Sequence, residues 1–353
     1  MKSLKFALSF AIVVMLSMSA SKMFSQGPKK DIGAKVPLPE VPTPMDKPGP
    51  PTKDKPAGMS ISIDVDLVDV DVVVMDNSGN PISGLNKQHF KVFDDNVEQT
   101  ITNFSPTDAP LTIVVLLEFG DTFGFLADDV VQPAAGFIQS LRPEDWAALV
   151  AYDIRPEILT DFTKNKAQLF EGLRRLRVPA YRETCLYDAV WDTLERMEQV
   201  DGKKAVFLLS TGLDTISKHS YPELLKKAAA TDTMIYSVSM GQSFRLYLES
   251  RGMLGGLDNI TLLQADNVLR SLADESGGSS FFPKFQGEFR GIFETVSAYL
   301  RSQYSIGFVP TNRKPDGKLH KLRIEVPPQD VNHDGKPDKL RVKHKKGYYA
   351  PKA

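Results

Sequence analysis

An acidic turn that carries glycine and threonine, Glu118–Thr122, follows directly on the apolar run LTIVVLL. The six residues Leu111–Leu116 are apolar or β-branched without polar alternation, as in a strand buried on both faces of a parallel sheet. Ligands of such sheets bind at the carboxyl ends of the strands. The turn Glu118–Thr122 is therefore the first candidate for a binding site.

A second polar segment has oxygen-bearing side chains at alternating positions around a glycine, as in the first half of an EF-hand loop. Side-chain oxygens stand at Asp330, Asn332, Asp334 and Asp338, with Gly335 between them, and Lys336 is the remaining candidate position, where an EF-hand loop uses the backbone carbonyl. The alternation points successive oxygens at one centre, and Gly335 permits the sharp turn. The glutamate of loop position twelve is lacking, so Asp338 would have to help. The segment is either a Ca²⁺ loop or a polar hairpin turn.

The sequence gives little support for a catalytic function. The five histidines are scattered without HExxH spacing, and neither a GxSxG elbow nor a phosphate-binding GxxxxGK[ST] loop is present. The lone cysteine, Cys185, excludes an intrachain disulfide framework and is expected to be a buried structural thiol. A formal net charge of −1 argues against nucleic-acid binding. We therefore expect a protein that is not an enzyme.

Strands that alternate with amphipathic helices predict a doubly wound α/β domain over residues 109–302, with a mostly parallel sheet and helices on both faces. After Leu111–Leu116, the stripe Ala134, Phe137, Ile138 and Leu141 indicates a helix. Further helices are predicted at Leu186–Met197 and at about Asn267–Glu275.

Residues 60–108 and 303–353 return to a period of two, which predicts short strands. Three strands at the carboxyl end hardly make an independent domain. We expect them to join the strands of residues 60–108 in one β-sandwich, into which the α/β domain is inserted.

The amino-terminal residues have the pattern of an export signal. Residues 1–20 carry lysines and then the apolar run Phe6–Leu16, with Ser17 and Ser19 as small residues for cleavage. An uncleaved anchor is the alternative. Residues 21–59 are rich in proline and lysine and are expected to form a disordered linker. The expected location is the periplasm, the cell surface or the medium, without a membrane span after cleavage.

Three segments taken in order resemble the loops of a von Willebrand factor type A (VWFA) domain. They are Glu118–Thr122, RETCLYDAV at Arg182–Val190 and FLLSTGLDT at Phe207–Thr215. The flanks, SGLNKQHFKVFDDNVEQTITNFSPTDAPL before this region and LRSQYSIGFVPTN with KKGYYAPK after it, are similar to bacterial VWFA-related secreted proteins of acidobacteria. The resemblance covers about Ile61–Pro351 and implies a Rossmann-like domain that binds a protein partner.

The family resemblance also implies a metal-ion-dependent adhesion site at the top of the sheet, from which this chain departs. Glu118 stands where the family has aspartate, Gly120 replaces the first serine, and Thr122 keeps the second hydroxyl. Thr184 matches the family threonine, whereas Thr211 occupies the position of the third-loop aspartate. Two carboxylates remain close in sequence, at Asp121 and Asp214. Because Mg²⁺ tolerates misplaced ligands poorly, we expect a degenerate site.

The sequence thus predicts an exported, non-enzymatic protein-binding or adhesion module with a degenerate metal site at the top of the sheet. One alternative is a cation-dependent adhesin, in which Mg²⁺ binds at that site. Another is a passive envelope scaffold whose α/β domain has lost ligand binding. The partner is expected to be another protein.

Overall fold

The computed structural model describes residues 50, 67–106, 109–120, 127–176, 181, 183–250, 252, 255–312, 314–329 and 337–350. By internal contacts the chain divides into Met1–Lys47 and Pro48–Ala353, and every described residue belongs to the second unit. The predicted signal peptide and nearly all of the predicted linker lie outside the described residues, as does the predicted start of the first strand. No described helix is long and apolar enough to cross a membrane.

The described residues form fourteen strands, most of them short. They are β1 (Val68–Met75), β2 (Lys91–Asp94), β3 (Val97–Gln99), β4 (Ile101–Pro106), β5 (Leu111–Glu118), β6 (Trp146–Tyr152), β7 (Pro156–Thr163), β8 (Lys203–Ser210), β9 (Met234–Ser239), β10 (Ser279–Phe281), β11 (Gln303–Phe308), β12 (Leu319–Glu325), β13 (Arg341–Lys343) and β14 (Gly347–Tyr349).

Seven α-helices lie between β5 and β11 in the described part of the chain. They are α1 (Ala127–Ser140), α2 (Lys166–Leu173), α3 (Leu186–Glu198), α4 (Tyr221–Ala230), α5 (Gly241–Ser250), α6 (Gly256–Ser276) and α7 (Phe289–Arg301). Short 3₁₀ turns occur at Lys87–His89 and Gln286–Glu288.

The central sheet has the strand order β10-β9-β8-β5-β6-β7. All neighbours are parallel except β7, which pairs with β6 in the antiparallel direction at one edge. Every residue of β5 is buried, as the continuous apolar run predicts. Since β5 lies between β6 and β8, the residues at its carboxyl end face the ends of two parallel neighbours.

Helices cover both faces of this sheet, and successive residues of β5 enter different cores. Ile113 and Val115 pack with side chains of α1, α2 and α7 on one face. Val114 and Leu116 pack with side chains of α3, α4 and α6 on the other face. The predicted doubly wound α/β arrangement is therefore confirmed.

Two antiparallel four-stranded sheets accompany the central sheet, in the orders β13-β1-β11-β4 and β14-β12-β2-β3. Each mixes strands from before and after the α/β region. Their apolar faces share one core, which includes Val72, Phe90, Ile306 and Ile324. The predicted sandwich of flanking strands is confirmed, and β1 lies between two strands from the carboxyl-terminal part.

The structure differs from the expected elements between β9 and β10. The helix expected at about Asn267–Glu275 begins earlier, since α6 covers Gly256–Ser276, and α5 at Gly241–Ser250 was not predicted. Glycine-rich sequence, GMLGG at Gly252–Gly256, separates these two helices. Glycine has a low helix propensity, so the sequence of this region predicts a helix only weakly. In the folded protein, Leu269 and Leu272 stabilise α6 by packing against the sheet.

Candidate functional site at the carboxyl ends of the central strands

Strand register brings Glu118 to the end of β8. In the parallel pair of β5 and β8, Leu117 stands opposite Leu209, so Glu118 lies beside Ser210. On the other side of β5, Glu118 stands opposite Tyr152, the last residue of β6. The carboxylate is thus surrounded by groups from both neighbouring strands.

The Glu118 carboxylate is 4% exposed and accepts hydrogen bonds from both sides. Its Oε2 accepts from Ser210 Oγ at 2.8 Å and from the backbone N–H of Thr211 at 2.7 Å. The Thr211 hydroxyl lies 2.9 Å from both Oε1 and Oε2. The Tyr152 hydroxyl is 3.4 Å from Oε2 and also donates to Ser210 Oγ at 2.9 Å. The protein's own donors therefore surround this carboxylate.

Burial governs the protonation of this cluster. Desolvation raises the pKa of Glu118, although hydrogen bonds from Thr211, Ser210 and Tyr152 partly oppose the rise. The pKa of Tyr152 is raised well above its ordinary value by burial and by the neighbouring Glu118 charge. Tyr152 therefore stays a neutral hydrogen-bond donor.

Thr184 joins the second loop to the third. Its backbone N–H donates to Thr215 Oγ1 at 2.8 Å, and its carbonyl accepts from the Thr215 N–H at 2.8 Å. The Thr184 hydroxyl is buried and has no hydrogen-bond partner among the described residues. A buried hydroxyl without a partner is uncommon, so Thr184 Oγ1 has capacity for a further contact.

Asp214 faces the start of a helix. Its Oδ1 accepts from the backbone N–H of Tyr187, in the first turn of α3, at 3.0 Å, and from Ser217 Oγ at 2.6 Å. A carboxylate at a helix amino terminus satisfies a free N–H and interacts favourably with the helix dipole. In this structure Asp214 fixes the third loop to α3.

The third loop is held to α3 at a second point. Asp188 accepts hydrogen bonds from the backbone N–H groups of Lys218 and His219, and its Oδ1 lies 2.7 Å from His219 Nδ1. Burial by itself would raise the pKa of Asp188, but together these hydrogen bonds outweigh it and lower the pKa. The second and third loops therefore form one connected surface.

The first loop is described only in part. Glu118 and Gly120 are buried, whereas Asp121 and Thr122 lie outside the described residues. The structure thus brings together Glu118 and Thr211 by direct hydrogen bonds. Thr184 and Asp214 meet through the second and third loops.

Two partners of Glu118 were not predicted from sequence. Tyr152 and Ser210 are the last residues of β6 and β8, and each contacts the carboxylate because its strand is a parallel neighbour of β5. The signal that could have found them is position rather than motif. A polar residue that ends an otherwise apolar strand lies at the same edge of the sheet as Glu118.

The described residues fit a divalent cation poorly at this place. Both Glu118 oxygens accept hydrogen bonds from Thr211, and Asp214 binds the start of α3. Mg²⁺ needs near-octahedral oxygen ligands with unused lone pairs. Among the described side chains of the predicted site, the Thr184 hydroxyl has no hydrogen-bond partner, whereas the Glu118 and Asp214 carboxylates already accept bonds from the protein.

Cys185 follows Thr184 at the start of α3 and is 2% exposed. Burial is the main cause that raises its pKa to about 12, and the nearby carboxylates add to the rise. The thiol stays protonated at neutral pH. This agrees with the predicted structural role.

A glycine allows the third loop to approach α6 closely. Gly212 has φ of +84°, and a Cβ built there would lie 2.3 Å from the carbonyl oxygen of Ala265. Its backbone N–H donates to Ser210 Oγ at 2.9 Å. Ala265 of α6 therefore lies directly against the third loop.

The predicted calcium loop is described only at its base. Asp330, Asn332, Asp334 and Lys336 lie outside the described residues. Gln329 and Asp338 form an antiparallel bridge, in which the Asp338 N–H donates to the Gln329 carbonyl at 2.7 Å. The two ends of the loop are therefore close together, as a hairpin turn or an ion-binding loop both require.

No protein-family model matches the chain, and no curated protein matches it. Several solved structures do. A von Willebrand factor type A protein from Catenulispora acidiphila is 10% identical, with a TM-score of 0.43, and the match covers 75% of this chain and 73% of that one. The von Willebrand factor domain of the type V pili tip protein Mfa5 from Porphyromonas gingivalis is 13% identical, with a TM-score of 0.40 and coverage of 54% and 96%.

A third match is the conserved hypothetical protein BatB from Bacteroides thetaiotaomicron, at 12% identity and a TM-score of 0.37, with coverage of 55% and 100%. Two of these three proteins are VWFA domains. The three loops of this chain resemble the same type of domain.

Proposed function

We propose that the chain is an exported, non-enzymatic protein-binding module that recognises another protein through the rim at the carboxyl ends of β5 and β8. The observation that carries this proposal is the hydrogen bonding of Glu118. A carboxylate that is held by Ser210, Thr211 and Tyr152 stiffens the rim and keeps its charge from the surface. The rim then presents a fixed shape, which suits recognition by direct contact.

Exposed apolar side chains around the rim support a protein partner. Nine large hydrophobic residues of the described part are exposed, and four of them are near the loops in sequence or on the helix that contacts the third loop. Tyr181 and Ile216 directly flank the second and third loops in sequence. Ile260 and Leu263 are on α6, whose Ala265 lies against Gly212. Exposed apolar groups that form one patch are typical of interaction surfaces. Their chemistry suits a partner with an apolar patch of its own.

Metal-independent contact is the favoured mode. Mg²⁺ bound at Glu118 Oε2 would displace the Thr211 N–H, which would then have no acceptor in the buried site. Asp214 would in addition have to leave the start of α3. Mg²⁺-dependent adhesion is the first alternative, and the unpartnered Thr184 hydroxyl is the observation in its favour.

The burial of potentially reactive side chains also favours binding over catalysis. Glu118 and Cys185, two reactive groups at the rim, are both almost fully buried. The raised pKa of Cys185 opposes a nucleophilic thiolate. Export is proposed from the pattern of residues 1–20, and a passive envelope scaffold is the second alternative.

We further propose that residues 330–338 bind Ca²⁺. The alternating oxygens at Asp330, Asn332 and Asp334 support this, and the bridge between Gln329 and Asp338 holds the ends of the loop together. In an exported protein that meets millimolar Ca²⁺, even a weak loop would be filled.

A capture experiment with matched surface variants tests the rim. Wild-type protein, Ile216→Asp and Val97→Asp are compared, since Ile216 and Val97 are both exposed and Val97 lies on β3 of the sandwich. Mass spectrometry identifies proteins retained from an envelope extract, with chelator-dialysed protein with and without Mg²⁺. A partner that binds wild type and Val97→Asp, but not Ile216→Asp, supports the proposal.

Two results would contradict it. Equal retention by Ile216→Asp and wild type would remove the rim as the binding surface. Retention only with Mg²⁺ would favour the cation-dependent alternative. If no protein is retained specifically by wild type, the passive scaffold becomes the better interpretation.

A further inference from the structure

Three metal-ligating side chains meet in the sandwich, away from the rim. They are Asp94 at the end of β2, Asp95 in the turn that follows, and His320 on β12. Their ligand atoms all lie within 4.8 Å of one another. His320 Nδ1 is 3.1 Å from Asp94 Oδ1, 3.3 Å from Asp94 Oδ2 and 3.6 Å from Asp95 Oδ2. A buried imidazole nitrogen therefore faces two carboxylates at once.

Neighbouring groups fix the orientation of both carboxylates. The Tyr348 hydroxyl on β14 donates to Asp94 Oδ2 at 2.9 Å. The backbone N–H of Lys321 donates to Asp95 Oδ1 at 3.0 Å, and the Asp95 N–H donates to the Lys321 carbonyl at 2.9 Å. Each carboxylate thus has one oxygen held by the protein and the other directed toward His320. Such outer contacts are typical of groups that orient metal ligands.

Both carboxylates converge on the same imidazole nitrogen. Within the described part of the chain, His320 is the ion-pair partner of both Asp94 and Asp95. Asp94 and His320 are buried, whereas the Asp95 side chain is half exposed. An ion placed among the three ligand atoms would therefore have two buried ligands and one ligand at the surface.

We propose that Asp94, Asp95 and His320 bind a divalent transition-metal ion, with Zn²⁺ as the best fit. Ligands around tetrahedral Zn²⁺ at about 2.0 Å lie about 3.3 Å apart, close to the observed 3.1 and 3.6 Å. One imidazole nitrogen with carboxylate oxygens is a donor set that suits Zn²⁺ better than Ca²⁺ or Mg²⁺. On binding, the Nδ1 proton of His320 is released to solvent, and a water completes the coordination.

The proposed ion joins segments from the two ends of the chain. Asp94 and Asp95 precede the α/β region, whereas His320 and the positioning residue Tyr348 follow it. The strands β2 and β12 are already paired, with Leu322 opposite Asp94. The ion would therefore be structural, and its loss would loosen the sheet β14-β12-β2-β3.

Cobalt spectroscopy with two matched variants tests the site. Chelator-dialysed protein is titrated with Co²⁺, and its melting temperature is measured with and without Zn²⁺. Asp95→Asn removes a ligand charge at an exposed turn position of φ +46°, which asparagine adopts readily. Glu98→Gln makes the same charge change on the exposed face of the same hairpin and serves as the control.

Wild type and Glu98→Gln are expected to show visible Co²⁺ bands at one equivalent, which Zn²⁺ abolishes. Zn²⁺ at a hundredfold excess over Kd should raise their melting temperature by about 8 °C. Asp95→Asn should bind about tenfold more weakly or worse. Absence of bands and of a thermal shift in wild type would overturn the proposal, as would equal metal affinity in Asp95→Asn and wild type.

Discussion

Replacement of Glu118 by alanine is the most direct test of how the rim is built. If the carboxylate is a structural acceptor, its removal should destabilise the fold whether or not a cation is present. The buried Thr211 N–H would then have no acceptor, whereas the hydroxyls of Ser210 and Thr211 can rotate to other partners. The substitution therefore acts on the junction of β5 and β8.

The size of the effect follows from these contacts. A buried N–H without an acceptor costs about 1–3 kcal/mol. The one lost methylene group contributes about 0.8 kcal/mol. Relief from burying the carboxylate offsets part of the sum, which leaves about 2 kcal/mol for Glu118→Ala. In a chain of this size, that loss lowers the melting temperature by about 6 °C.

Glu118→Gln keeps the size and shape of the side chain but cannot carry a negative charge. It therefore separates the effect of charge on stability from the effect of packing. Because burial raises the pKa of Glu118 above 4.5, the native state holds a proton that the unfolded state has released. Wild-type stability should therefore fall as pH rises from about 4.5 through the raised pKa. Glu118→Gln should lack this contribution, so the difference in unfolding free energy between the two proteins should depend on pH.

Denaturant unfolding between pH 4 and 8 and thermal melts with added Mg²⁺ provide the measurements. The structural role predicts no Mg²⁺ effect on the melting temperature of chelator-dialysed wild type. A loss below about 1 kcal/mol in Glu118→Ala would refute the reasoning on hydrogen bonds. A Mg²⁺-induced rise in wild type that Glu118→Ala abolishes would refute the metal-independent proposal.

Three further predictions concern other parts of the chain. Gly212→Ala should cost about 3 kcal/mol in denaturant unfolding because its Cβ would meet the Ala265 carbonyl, whereas Gly202→Ala, at φ +80° in open space, should cost about 1 kcal/mol. Burial raises the pKa of Asp71 from 3.8 to about 6, so wild-type stability should fall by up to about 3 kcal/mol as pH rises through that window; pH-dependent unfolding of Asp71→Asn should lack the fall. Calorimetric titration with Ca²⁺ should give heat with wild type and none with Asp334→Ala, and silence in both would remove the proposed calcium loop.

Much of the fold follows from periodicity in the sequence. The unbroken apolar run of β5 predicted a strand with two covered faces, and its alternate residues do enter two cores. The alternating segments Tyr304–Phe308 and Leu322–Val326 predicted sandwich strands. In each case one local pattern requires a particular burial, so the sequence is sufficient.

The early part of α6 and the whole of α5 could not be predicted in the same way. Their sequence contains glycine and few regular apolar positions, so local propensity is weak. What holds α6 at its rim end is tertiary. Asp266 Oδ1 accepts from Ser239 Oγ at the end of β9 at 2.9 Å, and Ala265 lies against Gly212. Contacts of this kind are visible only once the strands are in place.

The candidate site was predictable as a region but not as a set of contacts. That Glu118 follows a buried strand is evident from the sequence. That Tyr152 and Ser210 surround it depends on which strands neighbour β5. The metal-ligating cluster was missed for the same reason, because Asp94 and His320 are separated by 226 residues. Pairing of β2 with β12 brings them together.

Glu118 has one more methylene than the aspartate of the VWFA domains that this loop resembles, and the extra length has a consequence for recognition. The longer side chain lets the carboxylate accept a hydrogen bond from the Thr211 N–H, just beyond the end of β8. The carboxylate is thus bound by groups of the protein itself. A rim without a bound metal ion has no cation to which a partner's carboxylate could bind as a ligand. If the proposed mode is correct, affinity should arise from apolar contact around Ile216 and Ile260, and it should change little with salt. If binding of the partner weakened steeply with ionic strength, the rim would be attracting it by charge, as a bound cation would.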